Sequence, residues 1–489
     1  MNILINTQSL HVNLLYNEIV KISKKKEIDK IYLLSSLMHD LDRSLFLKYS
    51  KIEKLIFIKS TTFFNDKEFK KEKFHLTNEF VNDSKFIYTD ILSSYRWLPI
   101  SLRNGLDITT FSMQYYFDIS NYWQNFFSIN KIDCVIQLNE EHSSIDSILV
   151  RSAKDANVKN IITSRIVGAY AANFEEYHAF YDNVNCEYID LNLYKIKSGN
   201  TSKLNINSDF KSFSKKYKKN TKTKFEYIFQ KLKDLISEDK SIFIKTKYLY
   251  MVFLNKIITK ILLKKQYYYL KSLKKYYDSI STTEVNHNKN YVYYCFHFDP
   301  EANTLPKDNM SSNQLLNLRI LSSSIPQDWV IYVKEHPHQL EYNLYNDILL
   351  NQLHSVDNFR SKSFYDYINS FENVKLVSLE SNHNMLMRNS NIIASNTGTV
   401  FREANYLAKN CITFSNKSFY NNLDSVYYVN DYINCKEVIS EIIKSTNRVE
   451  NNIDKLFEDY SITIIDINNK SALLLNVIIE NKLYSINND

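Results

Sequence analysis

Residues 291–300 read YVYYCFHFDP. The run from Tyr291 to Phe296 is apolar or aromatic at every position, so whatever element it forms is buried on both faces. It is too short for a helix, and Pro300 closes it, which makes it a strand of a parallel sheet rather than a half-solvated one. Directly after it stand His297, Asp299 and Glu301. A histidine and two acids at a strand end can donate to a phosphate or accept from sugar hydroxyls, or can make an ordinary polar loop.

The same pattern repeats on both sides of this stretch. Downstream, apolar runs predict strands at Trp329–Val333, Val374–Val377, Asn391–Ala394, Cys411–Phe414 and Tyr427–Val429, with helices at Ser312–Ser322 and Val400–Leu407. Upstream, strands are expected at Asn2–Asn6, Ile31–Ser35, Leu55–Lys59, Cys134–Leu138 and Asn160–Ser164, with helices such as Val12–Lys24 and Ser144–Ala156 between them. Strands alternating with helices give an α/β class with mostly parallel, doubly wound sheets. Residues 191–290 interrupt the rhythm with helical spacing. The expected divisions are 1–190, a helical insertion 191–290, a second α/β domain 291–434, and a tail 435–489 that is helical apart from an Ile462–Ile467 run.

The 489 residues allow two or three domains. With 44% hydrophobic and 24% charged residues the chain is globular, and four Gly and five Pro exclude collagen-like and Pro-rich architectures. Five scattered Cys without a CxxC pair fit neither a disulfide scaffold nor a Cys-type zinc site, and suit a reducing compartment. No signal peptide is visible at the N-terminus, and no run of about 18 apolar residues is present. The expected location is cytoplasmic.

The net charge of +7 is uneven. Between Lys211 and Tyr276 lie 19 Lys, no Arg and four acids, so this segment carries +15 and the rest of the chain is net acidic. It reads as a solvated connector of helices, or as a basic, aromatic-rich face that rests on anionic lipid at the inner face of the cytoplasmic membrane. Lys without Arg is a poor base reader, so nucleic acid is not an expected partner.

Three further strand ends carry chemistry. IYVKEHP brings Lys334 and His336 to the end of a strand, with Pro337 fixing the exit; Lys offers a point charge and His a directional donor to a phosphate. Ser395-Asn396-Thr397-Gly398-Thr399 joins a strand to a helix. Gly398 permits a positive φ and close backbone approach, and hydroxyls with free N–H groups at a helix start suit an anion. Glu403, a turn later, can accept from hydroxyls. In the N-terminal part, Leu138-Asn139-Glu140-Glu141-His142 follows a strand, and Glu141 or His142 can act as general base on an acceptor hydroxyl, or can cap and solvate a helix start. HExxH, GxSxG, GxGxxG and a clustered His set are all missing, so no metal site and no cofactor are expected.

Four elements in order resemble the bacterial capsule and surface-polysaccharide biosynthesis proteins of the Kdo-transferase type: FHFDPEANT, IYVKEHP, the Arg360…Phe364-Tyr365…NVKLV stretch, and SNTGTVFREA. CITF and Tyr420 fit as well, and EEHSSIDSILVRSAKDANV resembles the family's His-containing loop and helix. The likeness covers 291–430 well, 130–165 less well and 191–290 not at all. It implies the GT-B fold, two Rossmann-like domains facing across a cleft, here with a basic helical insertion between them. It also implies that His336, Pro337, Ser395, Thr397, Gly398 and Thr399 hold the donor's phosphate; His297, Glu301, Lys334 and Glu403, from the strand-end chemistry above, are expected to complete the donor side. In FREANYLAKN, Lys409-Asn410 stands where such proteins more often carry Gly, and Asn is expected to take the left-handed cap.

The expected activity is metal-independent transfer of a sugar from a nucleotide-activated donor to a growing surface glycan or glycolipid acceptor, a CMP-activated ulosonic acid being the preferred donor by resemblance. The alternatives are a non-hydrolysing nucleotide-sugar epimerase and a non-catalytic polysaccharide assembly or binding protein. Fold alone does not separate them.

Overall fold

The computed structural model describes residues 1–7, 12–35, 49–59, 110–138, 144–167, 176–182, 185–194, 267–299, 312–340, 359–445, 449–464, 470–481 and 483. They form two α/β domains. The N-terminal sheet holds β1 (Asn2–Asn6), β2 (Lys30–Ser35), β3 (Leu55–Lys59), β4 (Cys134–Gln137), β5 (Lys159–Val167), β6 (Glu176–Asp182), β7 (Glu187–Tyr188) and β14 (Ser461–Ile464). Its order is β14-β6-β5-β4-β1-β2-β3, with β7 beside β6. β1 to β5 pair in parallel, whereas β6 runs antiparallel to β5 and to β14.

The C-terminal sheet is β8 (Tyr291–Cys295), β9 (Val330–Lys334), β10 (Val374–Val377), β11 (Ile392–Ser395), β12 (Asn410–Thr413) and β13 (Val426–Tyr428). All its pairs are parallel, in the order β10-β9-β8-β11-β12-β13. The chain therefore winds outward from β8 in one direction, returns, and winds outward in the other, as in a doubly wound dinucleotide fold.

The unbroken apolar runs have their explanation in the packing. Along β8, Val292 and Tyr294 enter one core and Tyr291 and Tyr293 the other. The first core lies under α4 (Gln314–Ser324), α5 (Lys362–Asn369) and α8 (Tyr432–Lys444). The second lies under α6 (His383–Asn389) and α7 (Val400–Tyr406). In the N-terminal sheet, Ile3, Ile5, Ile31 and Leu33 pack against α1 (Val12–Ser23) and α10 (Lys470–Glu480), while Leu4, Leu34 and Val135 pack under α2 (Thr110–Asn130) and α3 (Ser144–Asp155).

The tail after Cys435 is more than a helical appendage. Past α8 it crosses to the N-terminal domain through α9 (Ile453–Tyr460), and Ser461–Ile464 pairs with β6 before α10 docks on α1. Phe457 of α9 meets Tyr177 at a ring separation of 5.3 Å, and Tyr188 meets Phe419 at 5.2 Å. Tyr188 and Asn192 add hydrogen bonds to the Lys417 carbonyl (3.1 Å) and Asp459 (2.8 Å). One apolar cluster thus contains side chains of both domains.

Most of the Lys-rich 211–276 segment falls outside the described residues. Its end is described: residues 267–280 are helical, and Leu270, Leu273 and Tyr277 are buried. The Tyr277 hydroxyl donates to the Val377 carbonyl at 2.6 Å and the Tyr269 hydroxyl to that of Arg360 at 2.7 Å. Lys271 and Lys275 remain exposed, as expected for the polar face of a docked helix.

The end of α7 corrects one expectation. The left-handed residue there is Ala408, at φ +51°, and Asn410 is already in β12. Lys409 N–H donates to Ala404 and Ala408 N–H to Asn405, both at 3.0 Å, a complete Schellman closure built without glycine.

Candidate functional site

In an open α/β sheet, ligands bind beyond the carboxyl ends of the strands where the winding reverses. In the C-terminal sheet that point lies between β8 and β11. The segments leaving these two strands touch there. Ser395 Oγ donates to the Cys295 carbonyl at 2.8 Å, and Thr397 N–H donates to His297 Nε2 at 2.9 Å. The same nitrogen lies against the Thr397 carbonyl oxygen, so the tautomer decides which of the two bonds is made. Burial keeps the His297 ring below its ordinary pKa, against the opposing pull of Thr397 and Asp299.

Gly398 is held at φ +105° with His297 directly over it: a Cβ there would stand 2.8 Å from the ring's Cε1. His297, offered by the sequence as a phosphate donor, is in the structure also the latch that sets the 395–399 turn. Ser395, Asn396 and Thr397 are buried, whereas Thr399 is exposed and makes no side-chain capping bond to α7.

One strand over, β9 extends to Lys334, so this side chain is in the sheet, paired beside Cys295 and Val377. It is 9% exposed, and its ammonium donates to the Ser381 carbonyl. Burial lowers its pKa. Among the described residues no carboxylate lies within ion-pair distance of it, so a buried cation sits beside the crevice with a dipole as its partner. His336 and His338 follow, their rings 5.5 Å apart, and Pro337 is exposed. His338 N–H donates to His336 Nδ1 at 3.3 Å, which leaves the proton of the neutral ring on Nε2.

Burial, and after it the neighbouring His297, His338 and Arg360, push His336 down to about 3. The unfolded histidine, near 6.5, binds a proton that the folded one refuses. Stability from this source is therefore full above about pH 6.5 and is lost as the pH falls toward 3. His336→Asn is expected to flatten the fall in melting temperature between about pH 6.5 and pH 4. An unchanged slope would place the acid sensitivity on other groups.

Behind these loops lies an ion cluster that the sequence does not reveal. Arg360, 2% exposed, sends Nε to Glu335 at 2.7 Å and Nη1 to Asp299 at 2.8 Å. Its second terminal nitrogen reaches the His297 carbonyl at 3.3 Å. The guanidinium lies over Phe364, 4.4 Å from the ring centre. Tyr365 donates to Glu335 at 2.9 Å, and Gln339 Oε1 receives the Asp299 N–H at 2.8 Å. Glu335 in turn accepts the His336 N–H at 2.8 Å. Burial opposes the Arg360 charge, but Glu335 and Asp299 more than offset it and hold its pKa above the ordinary value. Asp299 is thus committed to Arg360 rather than open to a sugar. One signal was available: only ten of the 61 basic residues are Arg, and a planar fork bridging two carboxylates is a task Lys cannot perform.

Glu403 is a quarter exposed and meets a residue the sequence reading passed over. His383, first in α6, places Nε2 3.1 Å from Glu403 Oε2 and Nδ1 2.9 Å from the Tyr293 hydroxyl. Glu141, His142 and Glu301 lie outside the described residues; of the other candidates, His297 meets Thr397 and Gly398, while Lys334 bonds Ser381 and Glu403 meets His383. Among the described residues no group of three or more His, Cys, Asp or Glu is placed to hold a metal ion, and no helix is long and apolar enough to cross a membrane.

No protein-family model matches the chain, and no curated protein matches it. Solved structures similar to it include the UDP-GlcNAc 2-epimerase from Methanocaldococcus jannaschii, at 11% identity and a TM-score of 0.25, covering 98% of this chain and 100% of that one. The wall teichoic acid polymerase TagF is similar at 11% identity and a TM-score of 0.23, covering 98% and 88%. Alr3699/HepE from Anabaena, in complex with UDP and glucose, is similar at 11% and a TM-score of 0.24, covering 99% and 98%. At scores this low the likeness decides nothing, and the assignment to two doubly wound α/β domains rests on the chain's own strand order.

Proposed function

We propose that the chain is a nucleotide-sugar-dependent glycosyltransferase of GT-B architecture, with the donor's phosphate in the crevice between β8 and β11. The observation that carries this reading is the contact of His297 with the Thr397–Gly398 turn at the winding reversal, with Lys334 at the end of the neighbouring strand and no carboxylate within ion-pair distance of it among the described residues. A phosphate would supply the missing charge, the Gly398 turn would let its oxygens approach backbone, and Glu403 would accept from hydroxyls of the bound nucleotide. The leaving phosphate's developing charge would rest on Lys334 and His336. Glu141 or His142 would take the proton of the acceptor hydroxyl. The preferred donor is a CMP-activated ulosonic acid and the acceptor a surface glycan or glycolipid, with the Lys-rich segment resting on anionic membrane at the cytoplasmic face.

A thermal-shift panel of CMP, UDP, GDP and dTDP tests the reading, because a ligand of the native state adds about 2.7 kcal/mol of stability at 100 times its Kd. A shift with one nucleotide, followed by sugar transfer from its activated form, is the expected result. Epimer formation from UDP-GlcNAc alone would make the chain an epimerase, and no shift with any nucleotide would leave a non-catalytic glycan-binding protein.

His336→Ala is expected to cut transfer at least tenfold with the melting curve preserved at neutral pH, since one donor to a phosphate in a desolvated site contributes roughly 1.5–3 kcal/mol. Unchanged steady-state kinetics would remove His336 from the site. Turnover is also expected to survive EDTA; its loss, with recovery on adding Mg²⁺ or Mn²⁺, would show that a metal and not Lys334 and His336 carries the phosphate charge.

A further inference from the structure

We propose that Gln314 and Gln339 are positioning residues that hold the His297 and His336 loops in the arrangement that receives a phosphate, so that the phosphate's share of nucleotide binding depends on two amides that do not touch it. The inference rests on the nucleotide reading above and concerns what builds that site.

The need for such residues follows from where β8 stops. The strand ends at Cys295, and the Phe296 N–H makes one more bond of the ladder, to the Lys334 carbonyl at 3.0 Å. Residues 297–299 lie past the end of the sheet. Their backbone groups still require partners. Two side-chain amides supply them. Gln314, the first residue of α4, accepts the His297 N–H at 2.7 Å and donates to the His297 carbonyl at 3.2 Å. Gln339 accepts the Asp299 N–H at 2.8 Å and donates to the Asp299 carbonyl at 2.9 Å. A primary amide offers a carbonyl and N–H donors side by side, as a neighbouring strand does, so each glutamine serves one residue of the loop in place of a strand.

Both amides are built into the domain, Gln314 at 3% exposure and Gln339 at 0%. The Gln339 N–H donates to the His336 carbonyl at 2.9 Å, so this one residue is tied to both histidine loops. Arg360 fixes the Asp299 carboxylate, and Gln339 fixes the Asp299 backbone. Between the two clamped residues stands Phe298, its ring centre 5.7 Å from that of His336. A shift of residues 297–299 would therefore move the latch of the Gly398 turn and the His336 ring together. Donors that are in place before the ligand arrives lose no ordering entropy when it binds. A phosphate meets several donors at once and depends on their mutual placement, whereas a nucleoside lacks the group that reads them.

The test is titration calorimetry on the full chain at neutral pH, comparing CMP with cytidine and UDP, GDP and dTDP each with its own nucleoside. The parent is expected to favour the best-binding nucleotide over its nucleoside by about tenfold or more, the factor of one hydrogen bond to a charged group. Gln314→Met and Gln339→Met, made separately, are expected to shrink that ratio to within about threefold while leaving the nucleoside affinity nearly unchanged. Gln339→Asn keeps an amide on a shorter arm; it is expected to fall between, and it stands in if the methionine variant does not fold. A purely structural role would lower the melting temperature and both affinities at constant ratio, and that outcome overturns the proposal. Equal affinities for nucleotide and nucleoside in the parent also overturn it, with nucleotide binding itself intact. If no nucleotide binds the parent, the nucleotide reading has failed and this one falls with it.

Discussion

Replacing Arg360 by methionine is expected to destabilise the C-terminal domain by about 3–5 kcal/mol, because Glu335 and Asp299 would be left buried with no cation between them. Both acids are under 10% exposed, so water cannot replace the guanidinium. The loss should appear as a lower urea midpoint for the transition of this domain. The two carboxylates, not the missing contacts of Arg360, are the source of the cost. Adding Glu335→Gln and Asp299→Asn to Arg360→Met is therefore expected to recover much of the stability, since neutral amides can keep hydrogen bonds to Tyr365 and Gln314 without an unpaired charge. A triple variant as unstable as the single one would show that Arg360 contributes through its stacking on Phe296 and Phe364. Arg360→Lys keeps the charge but cannot reach both acids and stack at once, and it should fall between.

Gly398→Ala is the second large effect, and it has two separable parts. The backbone part is a φ of +105°, which costs an L-residue roughly 1–3 kcal/mol. The packing part is the Cβ placed 2.8 Å from His297 Cε1, which forces the ring off Thr397 and adds about 1–3 kcal/mol of overpacking. Removing the ring as well, in Gly398→Ala with His297→Ala, should return the second part and leave the first. Thermal melts of the two single variants and the double variant give the coupling directly. Nucleotide affinity is expected to fall in Gly398→Ala beyond what its melting point explains, because the 395–399 turn is displaced. A Gly398→Ala protein as stable as the parent would mean that the turn does not need its glycine.

The strands were legible because burial on both faces leaves a largely apolar run, and YVYYC, CVIQ and CITF are each such a run. Predicted and observed bounds differ by one or two residues at most ends, and at β5, which runs three residues further to Val167. The difference matters at β9, where the strand takes in Lys334 and buries its amine. The antiparallel edge was not legible. β6 reads EYHAFYD, with polar residues at the run's ends and His178 in its middle, and only its pairing with β5 and β14 shows it to be a strand. Ala408 in a left-handed cap has no local signature, since the surrounding packing and not the residue selects the conformation. The Arg360 cluster joins residues 299, 335 and 360 across three loops, and His383 lies 20 residues from Glu403. No periodicity records a meeting between segments so far apart. Only sheet order brings them together, and sheet order is set by tertiary packing.

The return of the chain's end to its beginning has a consequence for how the protein is made. β6 leaves the ribosome early, but the strand that covers its outer edge, β14, follows about 280 residues later. At roughly 5–20 residues per second, that is a wait of some 15–60 s during which the outer edge of β6 at residues 176–179, beyond the stretch paired with β7, and the apolar side of α1 have no cover. Of the two domains, the one synthesised first is thus completed last. A nascent chain stalled anywhere before residue 461 would carry a sticky edge, and a chain cut between β14 and α10 would leave the apolar side of α1 bare.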